Sequence, residues 1–511
     1  MSTTIFDLFA HRCQETGGKP LFERPGLPPI DFEAALLATR RLARVLVDLG
    51  VTPGDRVAVQ VEKSPEAVLL YLACLQVGGV FLPLNTAYTG AEIDYFLGDA
   101  EPRLFVCRPE TIAGHVSRAS GTLAVESLGT ARDGSLMDRA AAAAPLCEAV
   151  LREADDAAAI LYTSGTTGRS KGAVLTHRNL VSNCLSLIEA WRFTADDRLI
   201  HALPIFHTHG LFVACNMALV AGATMIFLTR FDTDEIINEM GDATVLMGVP
   251  TFYTRLLQSP RLDAQSTAAM RLFVAGSAPL LAEHHTEFAA RTGHAILERY
   301  GMTETCMIAS NPYDGERRPG AVGMPLPGVD LRIADRDTGA PLPQGEIGAI
   351  EVRGPNVFAG YWRMPEKTRS EFRTDGYFIT GDLGRIDADG YLHIVGRDKD
   401  LVISGGYNVY PKEIEALIDE VPGVLESAVI GLPHPDLGEA VTAIVVPRPG
   451  ARLEAAQVIA ALAGKLARYK QPRRVVLAPD LPRNVMGKVQ KAQLRTTHSN
   501  LYAQTEPLAQ A

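Results

Sequence analysis

Ten consecutive residues, Thr163-Ser164-Gly165-Thr166-Thr167-Gly168-Arg169-Ser170-Lys171-Gly172, combine glycines, hydroxyls and one embedded lysine. Glycine lets the backbone turn tightly and approach a ligand with no Cβ in the way. Successive backbone N–H groups in such a loop form a nest for phosphate oxygens, to which the hydroxyls and Lys171 add donors and charge. The chemistry indicated is binding of a triphosphate or pyrophosphate. The spacing is not that of a Walker A loop, where the lysine directly follows glycine and the loop opens into a helix. Here Ser170 precedes Lys171, and the strand-like run Ala173-Val174-Leu175 follows it. This loop therefore holds phosphate without the help of a helix dipole.

Further polar groups fall after strand-like runs, where open α/β sheets place ligands. Leu272-Phe273-Val274-Ala275 leads into Gly276-Ser277-Ala278-Pro279. Ala295-Ile296-Leu297 leads into Glu298-Arg299-Tyr300-Gly301-Met302-Thr303-Glu304-Thr305. Tyr300 can stack on a planar base, Thr303 offers a hydroxyl to phosphate, and Glu304 offers a hard carboxylate to magnesium. Each of these residues taken alone is more often a turn residue than a site. Lys488 follows Gly487 between apolar residues, on a loop able to approach a ligand closely; its bland reading is a solvated basic tail. His207-Thr208-His209 is a lone H-x-H and does not define a metal site.

The elements that must position these groups follow from pattern. Ala158 to Tyr162 reads as a buried strand, and Thr176 as the N-cap of the helix that follows the loop. Phe32 to Leu49 reads as a helix capped by Asp31 and ended by Gly50. Val57, Val59 and Val61 alternate as a strand, and Ser64-Pro65 opens a helix running to Gly78. Alternation of this kind to about residue 230 predicts α/β layering with much parallel sheet. Near Asp375 glycine, aspartate and turn signals become dense. Beyond Lys399 lies the pattern of a small α+β domain: helix Pro411 to Asp419, strand Ser427 to Ile430, strand Thr442 to Val446, helix Leu453 to Arg468, strand Arg474 to Leu477. The expected division is 1–397 and 398–511.

The chain has 511 residues, 47% apolar and 21% charged, which suits a multidomain globular enzyme. A net charge of −10 gives no basic field for nucleic acid. No apolar run is long enough for a membrane span. The N-terminus has no basic segment leading into an apolar core, so the expected location is the cytoplasm. Seven scattered cysteines without a CxxC fit reduced thiols.

Tyr162-Thr163-Ser164-Gly165-Thr166-Thr167-Gly168, with Lys171-Gly172, resembles the signature of the adenylate-forming enzymes: acyl-CoA synthetases, luciferases and peptide-synthetase adenylation domains. The resemblance runs the length of the chain in order. Leu203-Pro204-Ile205-Phe206-His207 looks like the family's aromatic gate, and Gly276 to Pro279 like its adenine-side loop. Glu298 to Gly301, with Thr303 and Glu304, matches the stretch that binds ATP and magnesium. Thr380-Gly381-Asp382 and Gly396-Arg397 match the ribose partners, and Lys399 falls on the hinge. Pro482 to Lys488 matches P-x-x-x-x-G-K, whose lysine is catalytic. The resemblance implies a large N-terminal part of two α/β subdomains and a distorted β-barrel, closed by a small mobile domain.

It also implies the chemistry. A carboxylate attacks the α-phosphate of ATP with Mg2+ on Glu304, and with Lys488, Thr303 and Lys171 in catalysis; coenzyme A then takes the acyl group. The implied partners are small molecules, with an acetyltransferase and a deacetylase acting on Lys488, and the implied assembly is a monomer or small homo-oligomer. Val249-Pro250-Thr251-Phe252-Tyr253-Thr254-Arg255 and Arg299 to Met307 look most like malonyl-CoA synthetases. That resemblance implies formation of malonyl-CoA through malonyl-adenylate. It makes Arg255 the buried anchor of malonate's second carboxylate, assisted by Ser277 and His207, with Met307 closing the pocket. From the residues alone, Arg255 also fits a structural ion pair on a helix. Methylmalonate, oxalate, succinate, a short monoacid, or loading of a separate carrier protein remain open alternatives.

Overall fold

A computed structural model describes residues 3–116, 123–163, 170–484 and 487–502. Among these residues the first sheet has seven strands. Five are parallel: Ala157–Thr163, Val80–Pro83, Arg56–Gln60, Leu104–Cys107 and Ala124–Ser127, in that spatial order. Lys171–Thr176 adds antiparallel to Ala157–Thr163, and Gly360–Tyr361 adds antiparallel to that. The hairpin formed by Ala157–Thr163 and Lys171–Thr176 thus has the predicted phosphate loop between its strands. The expected alternation of Val57 and Val59 is absent as a burial pattern, because Ala58 between them is fully buried too. A strand inside a parallel sheet is covered on both faces.

The second sheet has nine strands among the described residues. Its parallel middle runs Leu297–Met302, Leu272–Ala275, Val245–Gly248, Arg198–His201, Thr224–Phe227 and Pro20–Arg24. Helix Pro65–Gln76 is buried along its whole length. A helix that is apolar all round belongs inside a large core. Ser64 caps it by accepting from the Ala67 N–H at 3.2 Å. Asp31 caps Phe32–Asp48 by accepting from the Ala34 N–H at 2.7 Å.

The strand near residue 297 is longer than its apolar run suggested. It spans Leu297–Met302, so Glu298, Arg299, Tyr300 and Gly301 lie on the strand and not on a loop after it. It continues because Cys306–Ser310 folds back antiparallel against it. Gly301 permits that hairpin: a Cβ there would lie 2.0 Å from the Cys306 carbonyl oxygen.

Asp330–Ala334, Gly348–Arg353, Phe378–Ile386 and Leu392–Arg397 form an antiparallel sheet where the distorted barrel was expected. It is open among the described residues: its first and last strands do not pair with each other, and each makes an isolated bridge instead, Ala334 with Pro341 and Leu392 with Gly323. Past Arg397 come a short 3-10 turn, Asp398–Asp400, and a five-stranded sheet with its own apolar core. Strands Val424–His434 and Gly438–Pro447 are longer than predicted, because they pair with each other along their whole length. The helix expected from Leu453 to Arg468 is shorter, Ala455–Leu462. The chain leaves helical geometry at Ala463, and Gly464 takes a left-handed φ of +79°.

Candidate active site

The site lies where the carboxyl ends of both parallel sheets meet the C-terminal unit. Thr163 ends one strand and Lys171 begins the next. The predicted phosphate binders Ser164, Gly165, Thr166, Thr167 and Gly168 lie outside the described residues. The Lys171 ammonium sits 3.5 Å from Glu371 Oε1 and 4.0 Å above the Tyr361 ring. The Tyr361 hydroxyl contacts both carboxylates, Glu371 Oε2 at 2.9 Å and Glu304 Oε1 at 3.1 Å. The Thr163 hydroxyl is 3.4 Å from the same Glu304 oxygen. Glu304 is buried, and burial raises its pKa. Thr303 lies in the turn before it.

Tyr361 and Glu371 did not emerge from the sequence. They lie about 200 residues beyond Lys171, which they contact, on no glycine-rich or charged motif. Tyr361 arrives because its two-residue strand completes the sheet edge beside Ala173.

A second cluster forms around Asp382. The Tyr300 hydroxyl donates to Asp382 Oδ2 at 2.6 Å, and Arg397 Nε donates to Oδ1 at 2.8 Å. Asp382 accordingly has one face occupied by a cation and one by a phenol. Burial and the Asp382 charge push the Tyr300 hydroxyl well above its usual pKa, so it stays a donor. Glu298 is buried and pushed up to about 8 by desolvation, while the Gly320 N–H donates to its Oε1 at 3.1 Å.

The acid side is walled by the segment from Leu203 to His209, the Gly276–Pro279 loop and Met307. Ser277 holds a left-handed φ of +72°, rare for a residue with a side chain. Its hydroxyl lies 3.4 Å from His209 Nδ1. His207 feels Lys488: burial and that ammonium lower its pKa to about 4. A π-helical stretch, His209–Cys215, carries His209; such turns recur at functional sites. Met307 is buried, its methyl packed towards Gly301. Ala278 follows Ser277 in the loop.

Arg255 departs from expectation. It is exposed, its guanidinium 5.5 Å from the Phe231 ring centroid. It lines a cavity of about 270 Å³ shared with Leu203, Thr251, Phe252, Arg483 and Gly487. The exposure follows from helix geometry. Phe252, Tyr253 and Leu256 take the buried stripe of Pro250–Gln258, which turns position 255 outward.

Lys488 reaches the site from the C-terminal unit. Gly487, at φ +74°, brings that loop against Thr251. Desolvation and the Arg397 and Arg299 guanidiniums lower the Lys488 pKa to about 8, opposed by Asp382 and Glu304. Lys488, Asp382 and Glu304 are thus brought together from sequence positions 184 residues apart at the extremes. Lys399 lies in the 3-10 turn joining the units, flanked by Asp398 on Arg336 and Asp400 on Arg495.

The AMP-binding enzyme family model matches residues 9–362, and that for the AMP-binding enzyme C-terminal domain matches 413–488. The chain belongs to the AMP-binding enzyme family. As a member it is similar to ATP-bound MatB from Rhodopseudomonas palustris, 59% identical over 98% of this chain and 100% of that one, with a TM-score of 0.95; against apo MatB the TM-score is 0.85. It is 37% identical to a feruloyl-CoA synthase of Amycolatopsis, covering 89% of this chain and 91% of that one. It is also 37% identical to a malonate–CoA ligase of Arabidopsis thaliana, covering 88% and 79%. No helix among the described residues is long and apolar enough to cross a membrane.

Proposed function

We propose that this AMP-binding enzyme joins malonate to coenzyme A at the cost of ATP. The observation that carries this reading is the Gly487–Lys488 loop closed onto Thr251 beside a cavity lined by two guanidiniums, Arg255 and Arg483. A chamber with cations on its wall suits an acid with a second negative charge. The malonate–CoA ligase relative supports that choice of acid.

The chemistry follows from the groups present. One carboxylate oxygen of the acid forms a bond to the α-phosphorus of ATP as the bond to the bridging oxygen breaks, releasing pyrophosphate. Two anions must meet, so positive charge has to be in place beforehand. Lys488 supplies it at the reacting oxygens, and Lys171 on the phosphate side. Asp382, held by Tyr300 and Arg397, accepts hydrogen bonds from the ribose hydroxyls. The coenzyme A sulfur then bonds to the acyl carbon, AMP leaves, and the thiol proton passes to solvent. Lys488 serves the first step and stands in the way of the second. We assign residues 1–397 to the stationary part and 398–511 to the moving part, turning about Lys399.

Glu304 fits a magnesium site. Its buried carboxylate meets the Thr163 and Tyr361 hydroxyls, while the nearby Lys171 ammonium pairs with Glu371. Mg2+ takes one or two protein carboxylates and completes its shell with phosphate and water. When bound it would neutralise charge on the departing pyrophosphate.

The test is AMP release with ATP and coenzyme A against malonate, methylmalonate, oxalate, succinate, propionate and ferulate. Malonate is expected to give the highest kcat/KM. A higher value for ferulate or another monoacid would refute the assignment.

A further inference from the structure

We propose that Glu371 is a positioning residue that competes with phosphate for the Lys171 ammonium and takes it back as pyrophosphate leaves. This rests on the reading of Lys171 as the phosphate-side cation, and on no particular acid. Lys171 Nζ lies 3.5 Å from Glu371 Oε1, with the two side chains only 12% and 21% exposed. Water screens such a pair less than one on the open surface, so it holds more firmly. The Tyr361 ring faces the same ammonium at 4.0 Å, and the Tyr361 hydroxyl donates to Glu371 Oε2 at 2.9 Å. Lys367, four residues before Glu371, also holds Oε1. Burial works against the charge on Glu371, but Lys367, Tyr361 and Lys171 outweigh burial and hold its pKa below the usual carboxylate value.

The consequence follows from charge. A triphosphate that draws the ammonium of Lys171 away leaves Glu371 with Lys367 and Tyr361 as partners. Separation therefore offsets part of the phosphate's binding energy without stranding an unpaired buried carboxylate. The benefit comes after the chemistry. Contacts that steady a departing pyrophosphate also hold it once it has formed, and product release limits many enzymes. A carboxylate within reach of the ammonium gives Lys171 another partner at that moment. Glu371 thus acts on phosphate through Lys171. A purely structural role, in which Glu371 only fastens helix Pro365–Ser370 to the Gly360–Tyr361 sheet edge, makes no distinction between ligands with and without a β-phosphate.

The test is binding to the full chain, by titration calorimetry with Mg2+ present, of ATP, inorganic pyrophosphate and AMP, which lacks the β- and γ-phosphates. In Glu371→Gln, ATP and pyrophosphate should bind roughly tenfold more tightly and AMP within about twofold of the parent, an effect between those of an exposed and a buried ion pair. Pyrophosphate should inhibit turnover of that variant at correspondingly lower concentration. In a Lys171→Met chain, adding Glu371→Gln should tighten neither ligand, because the effect runs through the ammonium. Tightening that persists there is direct repulsion between Glu371 and phosphate, and overturns the proposal.

Unchanged or weaker pyrophosphate binding in Glu371→Gln, or an equal change for AMP, overturns it too. If Glu371→Gln does not fold, as judged by its melting transition, Lys367→Met decides. That variant leaves Glu371 to Lys171 and Tyr361, so pyrophosphate should bind a few-fold more weakly; unchanged binding overturns the proposal. Lys171→Met alone separates the two readings. If it leaves ATP and pyrophosphate binding unchanged, the phosphate role of Lys171 fails and this inference with it. If it weakens both while Glu371→Gln tightens neither, only this inference fails.

Discussion

Lys488 carries a pKa of about 8 in a cleft it shares with Arg397 and Arg299. An amine must be protonated to bridge two anions. The protonated form dominates below that pKa and is lost as pH rises through it. Adenylation by the free enzyme, read as kcat/KM for ATP, should therefore fall above pH about 8. Lys488→Arg should move that limb to higher pH, and a profile flat to about pH 10, near the unperturbed lysine value, would contradict it. Lys488→Ala should abolish acyl-adenylate formation but leave thioester formation from added malonyl-adenylate within roughly tenfold, since its charge is aimed at the first transition state only. Equal loss in both half-reactions would remove Lys488 from its proposed place. Arg255→Ala is expected to be mild. An exposed charge contributes about 0–1 kcal/mol, so kcat/KM for malonate should drop only a few-fold, and less at high salt. A loss of about 100-fold, the mark of a buried charge pair, would give Arg255 the anchor role that its exposure argues against. At this scale the sequence was legible where chemistry sits on a motif: Lys171, Glu304, Asp382, Arg397 and Lys488 all face one cleft. It was not legible for Tyr361 and Glu371, whose presence is decided by which strand closes a sheet edge. Nor did it show that the helix stripe turns position 255 to water.

Elements were readable where a local signal agreed with the tertiary one. Asp31, Ser64 and Thr176 each cap the helix they precede. Strand ends were not readable, because pairing partners far along the chain decide them. Leu297–Met302 outlasts its apolar run since Cys306–Ser310 returns beside it, and the hairpin closes on a glycine. Gly301→Ala tests this. The new methyl would meet the Cys306 carbonyl at 2.0 Å and the Met307 Cα at 2.8 Å, both backbone atoms that cannot rotate away. Overpacking of this kind costs about 1–3 kcal/mol. Melting temperature and adenylation should fall together, since Tyr300, Thr303 and Glu304 ride on the same hairpin. A variant within about 0.5 kcal/mol of the parent, the range of an ordinary surface change, would show that the hairpin has more room than its geometry implies.

At the scale of the molecule, an exposed ion pair spans the two units. Arg448 meets both oxygens of Glu283 at 2.8 Å across the two units, with both side chains well exposed. Such a pair contributes about 0–1 kcal/mol, enough to favour one arrangement without preventing another. The turn Asp398–Asp400 joins the units, and its flanking carboxylates are tied to both: Asp398 to Arg336 before the turn, Asp400 to Arg495 beyond it. Lys399 between them is exposed, and partial desolvation of its ammonium lowers its pKa. If the small unit rotates here, backbone dihedrals at this position must change while the packed sheets on either side stay intact. Proline locks φ near −65°, and it also biases the residue before it against helical geometry. The first constraint is compatible with the 3-10 turn seen in the closed form; the second, at Asp398, strains it slightly. Lys399→Pro should therefore fold, keep acyl-adenylate formation within roughly tenfold, and lose most of its thioester formation, because the closed form survives and the excursion does not. The two half-reactions are separable: ATP–pyrophosphate exchange with malonate reads the first, and coenzyme A consumption from added malonyl-adenylate reads the second. Full overall turnover in a folded Lys399→Pro chain would place the pivot elsewhere, and loss of exchange with retained thioester formation would show that the restricted backbone favours the opposite arrangement.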